Sequence, residues 1–215
     1  MNELLGKLLA ARNDAKYSDY TKHINWIYHK TQDLPNVMLV GKASESIPLR
    51  NYKLRRCNLT RLNPSANAPA PLELFADLLQ ARHCTNLDSD DFANNPKLQK
   101  RYIATQNVVI IDDDEIVSDF LRLTNTILYC EQFLTQHGRI LFDVPIRRHL
   151  DYESELIWAI KTVRTCVNRV NGALRSLFLI EDIKLSSCGN TAGFVGIRVY
   201  LKKEVSDLSD DYACL

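Results

Sequence analysis

The segment from Asp151 to Lys203 constrains the fold most, because the period of its hydrophobic residues changes once along its length. Apolar residues first recur every three or four positions, as on a helix that buries one stripe. Beyond Ser176 the period becomes two, as in a strand with one apolar face. The segment therefore predicts a long amphipathic helix at 151–176 followed by a β-hairpin. The helical stripe consists of Leu156, Ile160, Val163, Val167, Val170 and Leu174.

A second pattern lies in mid-chain, between two short apolar runs that read as buried strands, Val108–Ile111 and Arg139–Val144. Apolar residues between them follow a helical period, which predicts one helix of roughly 22 residues that ends at Gly138. Strand, helix and strand in this order usually form a parallel pair with a crossover. We therefore expect an α+β (mixed α/β) fold: a single mixed sheet with this central strand-helix-strand unit, the long C-terminal helix and the C-terminal hairpin.

The domain organisation follows from the breaks in these patterns. Residues 1–34 carry two short amphipathic patterns before Pro35 and predict an N-terminal helical segment. Residues 35–204 form one mixed α/β domain, since 215 residues are enough for one sizeable core. Residues 205–215 are acidic and predict a flexible tail.

The cysteines and histidines indicate a reducing cellular compartment and do not indicate a metal-binding site. Six cysteines occur singly with no C-x-x-C pair, which favours free thiols in a reducing compartment. The five histidines show no metal-binding spacing, so neither a metal site nor a cofactor is predicted. No secretory signal and no run of roughly 18 apolar residues is present, so we predict a cytoplasmic protein without a membrane partner.

Four consecutive acids, Asp112 to Glu115, follow the run Val108–Ile111. Carboxylates at the carboxyl end of a buried strand can hold Mg²⁺ for phosphoryl transfer. The nearby Gly41-Lys42 pair lacks the earlier glycine and the following Ser or Thr of a phosphate-binding loop; Asn36 and Ala43 stand there. The acids also suit capping of a helix that begins near Ile116, and we favour this interpretation. A Mg-dependent phosphoryl-transfer enzyme using Asp112–Asp114 is the second alternative.

The stretch Phe133–Pro145, FLTQHGRILFDVP, resembles the strand of a Rossmann-like methyltransferase that follows a glycine turn. The resemblance implies a glycine-rich loop after the first strand, where the backbone approaches the cofactor. The seven glycines form no G-x-G near the N-terminus. The sequence therefore disfavours an enzyme of this class.

Basic and aromatic residues form the remaining signal, since the net charge of +1 gives no general attraction to nucleic acid. Single-stranded nucleic acid is bound by cations along its phosphates and by rings that stack on its bases. We expect such a surface from three parts of the chain: an extended segment, the solvent face of the long helix and one face of the hairpin. Its predicted residues are Arg50, Tyr52, Lys53, Arg55, Arg56, Arg61, Lys161, Arg164, Arg175, Phe194, Arg198, Tyr200 and Lys202.

The sequence thus favours a non-enzymatic, intracellular protein that binds single-stranded RNA or DNA through this basic and aromatic surface. The first alternative is a protein-protein interaction or assembly module without nucleic acid. In that case we expect a homo-oligomer or a protein partner at the apolar N-terminal helix, Leu4 to Leu9.

Overall fold

The computed structural model describes residues 2–10, 35–41, 58–63, 83–88, 94–111, 113–146, 151–174, 177–187 and 195–204. The described strands are β1 (Asn36–Val40), β2 (Asn58–Asn63), β3 (His83–Asp88), β4 (Gln106–Ile111), β5 (Leu134–Ile146), β6 (Leu177–Ser187) and β7 (Val195–Glu204). The described helices are α1 (Asn2–Ala10), α2 (Pro96–Lys100), α3 (Asp114–Ser118), α4 (Phe120–Glu131) and α5 (Tyr152–Ala173).

All seven strands belong to one sheet in the order β3-β2-β1-β4-β5-β7-β6. The strands β1 to β5 pair in parallel, whereas β7 is antiparallel to both of its neighbours, β5 and β6. The prediction of a single mixed sheet is therefore confirmed. The predicted domain boundaries at 34 and 204 stay predictions, and the acidic tail lies outside the described residues.

The apolar runs that predict strands are buried on both faces, as parallel strands under helices require. Val37 and Leu39 point to one face of β1, Met38 and Val40 point to the other, and none is more than 5% exposed. The second face packs with α3, α4 and α5 into one hydrophobic core, to which α5 contributes its predicted stripe from Leu156 to Val170. None of the described helices is long and apolar enough to cross a membrane.

Two buried thiols take part in this core. Cys130 and Cys166 are free cysteines, and burial raises the pKa of the Cys130 thiol to about 12. The Sγ atom of Cys166 lies 3.3 Å from Oγ1 of Thr124. These two cysteines are therefore free thiols, as the sequence predicts, and act as small core residues.

The helix predicted between β4 and β5 is interrupted, and this part of the prediction is wrong. Asp119 adopts an extended conformation between α3 and α4, and its carboxylate accepts the backbone N–H groups of Leu121 and Arg122 at 2.8 and 3.0 Å. An Asp that caps a new helix in this way ends the preceding one. Gly138 does not end a helix either, because it lies inside β5, which begins at Leu134.

The apolar residues of helix α1 pack against the hydrophobic core of the same chain. Leu8 is 4% exposed, and Leu4, Leu5 and Leu9 pack against the core. The contact of this helix with a second copy or another protein stays a prediction.

Gly138 and Gly172 provide a matched pair of glycine-to-alanine substitutions. A Cβ atom at Gly138 would lie 2.9 Å from Cδ2 of Leu134 and 3.1 Å from the backbone oxygen of Gln106, whereas a Cβ at Gly172 in α5 meets nothing within 4 Å. We expect Gly138→Ala to lower the free energy of unfolding by about 1–3 kcal/mol through overpacking. Gly172→Ala should raise it by up to about 1 kcal/mol because alanine favours helices. Urea unfolding followed by circular dichroism measures both, and a harmless Gly138→Ala would contradict the close packing.

Candidate functional site

The strand order creates one topological switch point, between β1 and β4. Strand β2 lies on one side of β1, and β4 lies on the other, so the connections that leave β1 and β3 run in opposite directions. In open α/β sheets ligands bind in the crevice outside the carboxyl ends of the strands at such a point. At this edge the described chain has Gly41 directly after β1, Asn63 as the last residue of β2 and Asp113 two residues after the end of β4.

Gly41 extends β1 by one residue in a conformation that few side chains allow. Its φ angle is 148°, and its N–H donates to the backbone oxygen of Leu62 at 3.2 Å. Because glycine has no Cβ, the backbone at this position can be approached closely by a ligand. Gly41 is buried, and its backbone lies directly beside the end of β2.

Asp113 lies just beyond the end of β4 and caps the start of α3. Its Oδ1 atom accepts the backbone N–H groups of Glu115 at 2.9 Å and Ile116 at 3.2 Å, and the residue is 8% exposed. The favoured interpretation of these acids as helix caps is thus correct for Asp113. Glu115 is exposed and lies 3.4 Å from Nη1 of Arg122.

The alternative of a metal centre receives no support from the described residues. Among them, no group of three or more His, Cys, Asp or Glu could hold a metal ion. Asp112 lies outside the described residues. The Oδ1 atom of Asp113 accepts hydrogen bonds from the first turn of α3 instead.

A buried ion pair lies next to the end of β4. Ile111 is opposite Phe142 in the parallel pair, so Asp143 stands one residue closer to the carboxyl edge. Its carboxylate accepts two hydrogen bonds from Arg198 of β7, from Nε at 2.6 Å and from Nη2 at 2.5 Å. Arg198 is 3% exposed, and its charge is therefore neutralised within the sheet.

The hairpin residues predicted to bind nucleic acid are not presented as free cations and exposed rings. Besides the pairing of Arg198 with Asp143, Lys202 forms an ion pair with Glu204, and Tyr200 is only 7% exposed. Lys184 of β6 lies over the Tyr200 ring, 5.2 Å from its centroid. A buried ring cannot stack on a base, so this strand face lacks the property that the prediction requires.

The basic positions of the long helix lie on the other side of the sheet. Helix α5 packs on the face that carries Val199 and Leu201, whereas Arg198, Tyr200 and Lys202 alternate with those residues and point away from it. Lys161 and Arg164 of α5 therefore do not join them in one surface. Arg61 pairs with Leu39 as part of β2, and nothing further is described of its side chain. The other predicted residues lie outside the described residues: Arg50, Tyr52, Lys53, Arg55, Arg56, Arg175 and Phe194.

No protein-family model matches the sequence, and a search of curated proteins finds no match. Solved structures do match. One is P. horikoshii TYW2 in complex with MeSAdo, at 10% identity and a TM-score of 0.51, over 91% of this chain and 67% of that one. Another is the 1,6-didemethyltoxoflavin-N1-methyltransferase of Burkholderia thailandensis, with bound 1,6-didemethyltoxoflavin and S-adenosylhomocysteine. It is 11% identical with a TM-score of 0.51, over 94% of this chain and 87% of that one.

These findings overturn the predicted function. A non-enzymatic protein that binds RNA or DNA on a basic and aromatic surface is the wrong prediction, because the fold is one used by a methyltransferase and the hairpin residues are paired or buried. The preference for a non-enzyme is wrong for the same reason. The stretch Phe133–Pro145, which resembles a methyltransferase strand, forms most of β5.

Gly41 is absent from the site residues predicted from sequence, since the pair Gly41-Lys42 lacks the rest of a phosphate-binding loop. Its position directly after the buried run Val37–Val40 could have indicated a site, because ligands of open α/β sheets bind beyond the carboxyl ends of the strands. This indication does not depend on a phosphate-binding motif.

Substitutions at Asp113 separate its role as a helix cap from its charge. Asp113→Ala should lower the free energy of unfolding by about 1 kcal/mol, whereas Asp113→Asn should change it by only a few tenths, since Asn caps helices as well as Asp. Asp119→Ala is the matched control and should resemble Asp113→Ala, because Asp119 caps α4 in the same way. Chemical denaturation measures all three, and an equal loss for Asp113→Asn and Asp113→Ala would contradict the capping role.

Proposed function

We propose that this chain is a methyltransferase that binds S-adenosylmethionine in the crevice at the switch point between β1 and β4. The observation that carries the proposal is the strand order β3-β2-β1-β4-β5-β7-β6, in which β7 alone runs against the other strands. The fold match with a methyltransferase that holds S-adenosylhomocysteine supports this choice of ligand. The cofactor supplies an electrophilic methyl group on a positively charged sulfur atom.

The described residues fit such a ligand in shape. At Gly41 the backbone has the unusual φ of 148° and no side chain, so the adenosyl group can lie against the end of β1. The chain offers one glycine here rather than a glycine-rich loop. We therefore expect binding to depend strongly on this single residue.

The residues also fit the ligand in charge. S-adenosylmethionine carries positive charge on its sulfur and amino groups, and the β4 edge of the crevice begins with the buried carboxylate of Asp113. This carboxylate would repel the phosphates of a dinucleotide, and the phosphate-binding loop is absent from the sequence. The acid at this edge thus favours a cationic adenosyl ligand over a phosphorylated one.

The role of the protein in methyl transfer is then to bind and orient. Gly41 gives access to the backbone, and Asp113 holds the start of α3 in place while its negative charge attracts the cationic ligand. The buried Asp143–Arg198 pair fixes β5 against β7 beside the crevice. Holding both reactants in line accounts for much of the rate gain in reactions of this kind.

Calorimetric titration with S-adenosylmethionine and S-adenosylhomocysteine tests the proposal. The unmodified protein should bind both, and Gly41→Val should weaken binding at least about tenfold, because a branched side chain fills the crevice and opposes the φ of Gly41. Circular dichroism must show that the variant is folded. If neither ligand binds at a concentration of about 1 mM, the proposal is overturned, because a dissociation constant above that value is too weak for a cofactor site.

Two variants with the same change of charge test whether the carboxylate of Asp113 attracts the cationic ligand. Asp113→Asn keeps the helix cap but removes the charge at the crevice, so affinity for S-adenosylmethionine should fall about tenfold. Asp119→Asn makes the same change at the start of α4 and should leave affinity unchanged. If NADH binds and S-adenosylhomocysteine does not, the crevice serves a different cofactor and the proposal fails.

A further inference from the structure

Strand β6 is the last strand of the sheet, and the described part of the chain places no strand beyond it. It is 11 residues long, from Leu177 to Ser187. An edge strand of this length presents backbone N–H and C=O groups to which another strand can pair. Its solvent-facing residues include Leu177 and Leu179, which are 43% and 45% exposed.

The first part of this edge is protected by a side chain of α5. The Oδ1 atom of Asn171 accepts the N–H of Phe178 at 2.7 Å, and its Nδ2 atom donates to the carbonyl oxygen of Phe178 at 2.9 Å. The amide of Asn171 thus occupies both backbone groups that a neighbouring strand would use. Pairing at Phe178 is blocked.

The second part of the edge carries no such protection among the described hydrogen bonds. Phe178 lies opposite Lys203 and Ile183 lies opposite Val199, which are four positions apart along β7; along β6 the two residues are five apart, because a bulge shifts the register between Ile180 and Asp182. Backbone groups of an antiparallel strand point the same way at every second residue, so those of Ile183 point to the open edge as those of Phe178 do. The same holds for Leu185, which lies opposite Ile197.

The charges that flank Ile183 are self-complementary. Asp182 and Lys184 are 43% and 55% exposed, and their side chains meet within the chain at 2.6 Å. If two copies of β6 pair antiparallel about a two-fold axis at Ile183, each Asp182 lies opposite Lys184 of the other copy. The two neighbouring symmetric registers would instead set Asp182 against Asp182 or Lys184 against Lys184, which is unfavourable.

We propose that β6 is a homodimer interface, at which two copies of this chain pair antiparallel about a two-fold axis at Ile183. Because the register of β6 shifts between Ile180 and Asp182, Leu185 then lies opposite Ile180 of the other copy and Ser186 opposite Leu179, so the pairing ends before Phe178, which Asn171 protects. The interface is isologous, so the pairing closes at two copies and does not extend into a filament. It lies away from the crevice and does not depend on the proposed methyl transfer.

Charge reversal tests the register directly. The unmodified protein should change from monomer toward dimer between roughly 1 and 200 µM, as expected for a small interface. Asp182→Lys sets like charges opposite each other twice and should weaken self-association at least about tenfold, and Lys184→Asp should do the same. An equimolar mixture of these two variants should form heterodimers, and the double variant Asp182→Lys/Lys184→Asp should dimerise again. Analytical ultracentrifugation with one variant labelled measures each of these equilibria.

Glu3 and Lys7 provide the matched control. They form an exposed ion pair of 2.7 Å on α1, the helix predicted from sequence to mediate assembly. Glu3→Lys and Lys7→Glu should leave dimerisation of the protein unchanged. A mixture of these two variants that associates more tightly than either alone would place the interface on α1 and overturn the proposal. So would a protein that remains monomeric at all concentrations, or charge-reversed β6 variants that dimerise like the unmodified chain.

Discussion

The parallel pairing of β1 with β4 determines the rest of the structure. Val37 to Val40 align with Val108 to Ile111, and these strands are buried on both faces. Each fully buried side chain of this kind contributes about 1.5–3 kcal/mol. Once these two strands are neighbours, β2 and β3 lie on the β1 side of the pair, and β5, β7 and β6 lie on the β4 side. The crevice at their carboxyl ends therefore follows from hydrophobic burial and needs no dedicated binding motif.

The sequence predicted those elements whose evidence is local. The runs Val37–Val40 and Val108–Ile111 are too apolar to be anything but buried, and the stripe of α5 repeats with helical period over more than four turns. The order of strands could not be predicted, because an apolar run does not encode which strand lies beside it. The break at Asp119 was missed because a capping Asp also fits a continuous helix with a polar face.

The candidate site was misassigned for a related reason. Alternation along β7 correctly separates Arg198 and Tyr200 from Val199 and Leu201, but it does not say what lies over the polar face. Arg198 is paired with Asp143, a residue 55 positions earlier in the chain, and no sequence pattern announces that contact. Gly41 directly follows a buried run in the sequence, but it becomes a candidate site residue only once β1 is known to adjoin β4.

Hydrogen exchange with and without S-adenosylhomocysteine tests binding at the switch point, because it locates a ligand on the backbone. We expect slower exchange on addition of the ligand at two separate places that only the fold brings together, the end of β1 with Gly41 and the start of α3 after Asp113. Exchange in β6, at the far edge of the sheet, should not change at a protein concentration where the chain is monomeric. Unchanged exchange at both crevice segments, or protection confined to other parts of the sheet, would contradict ligand binding between β1 and β4.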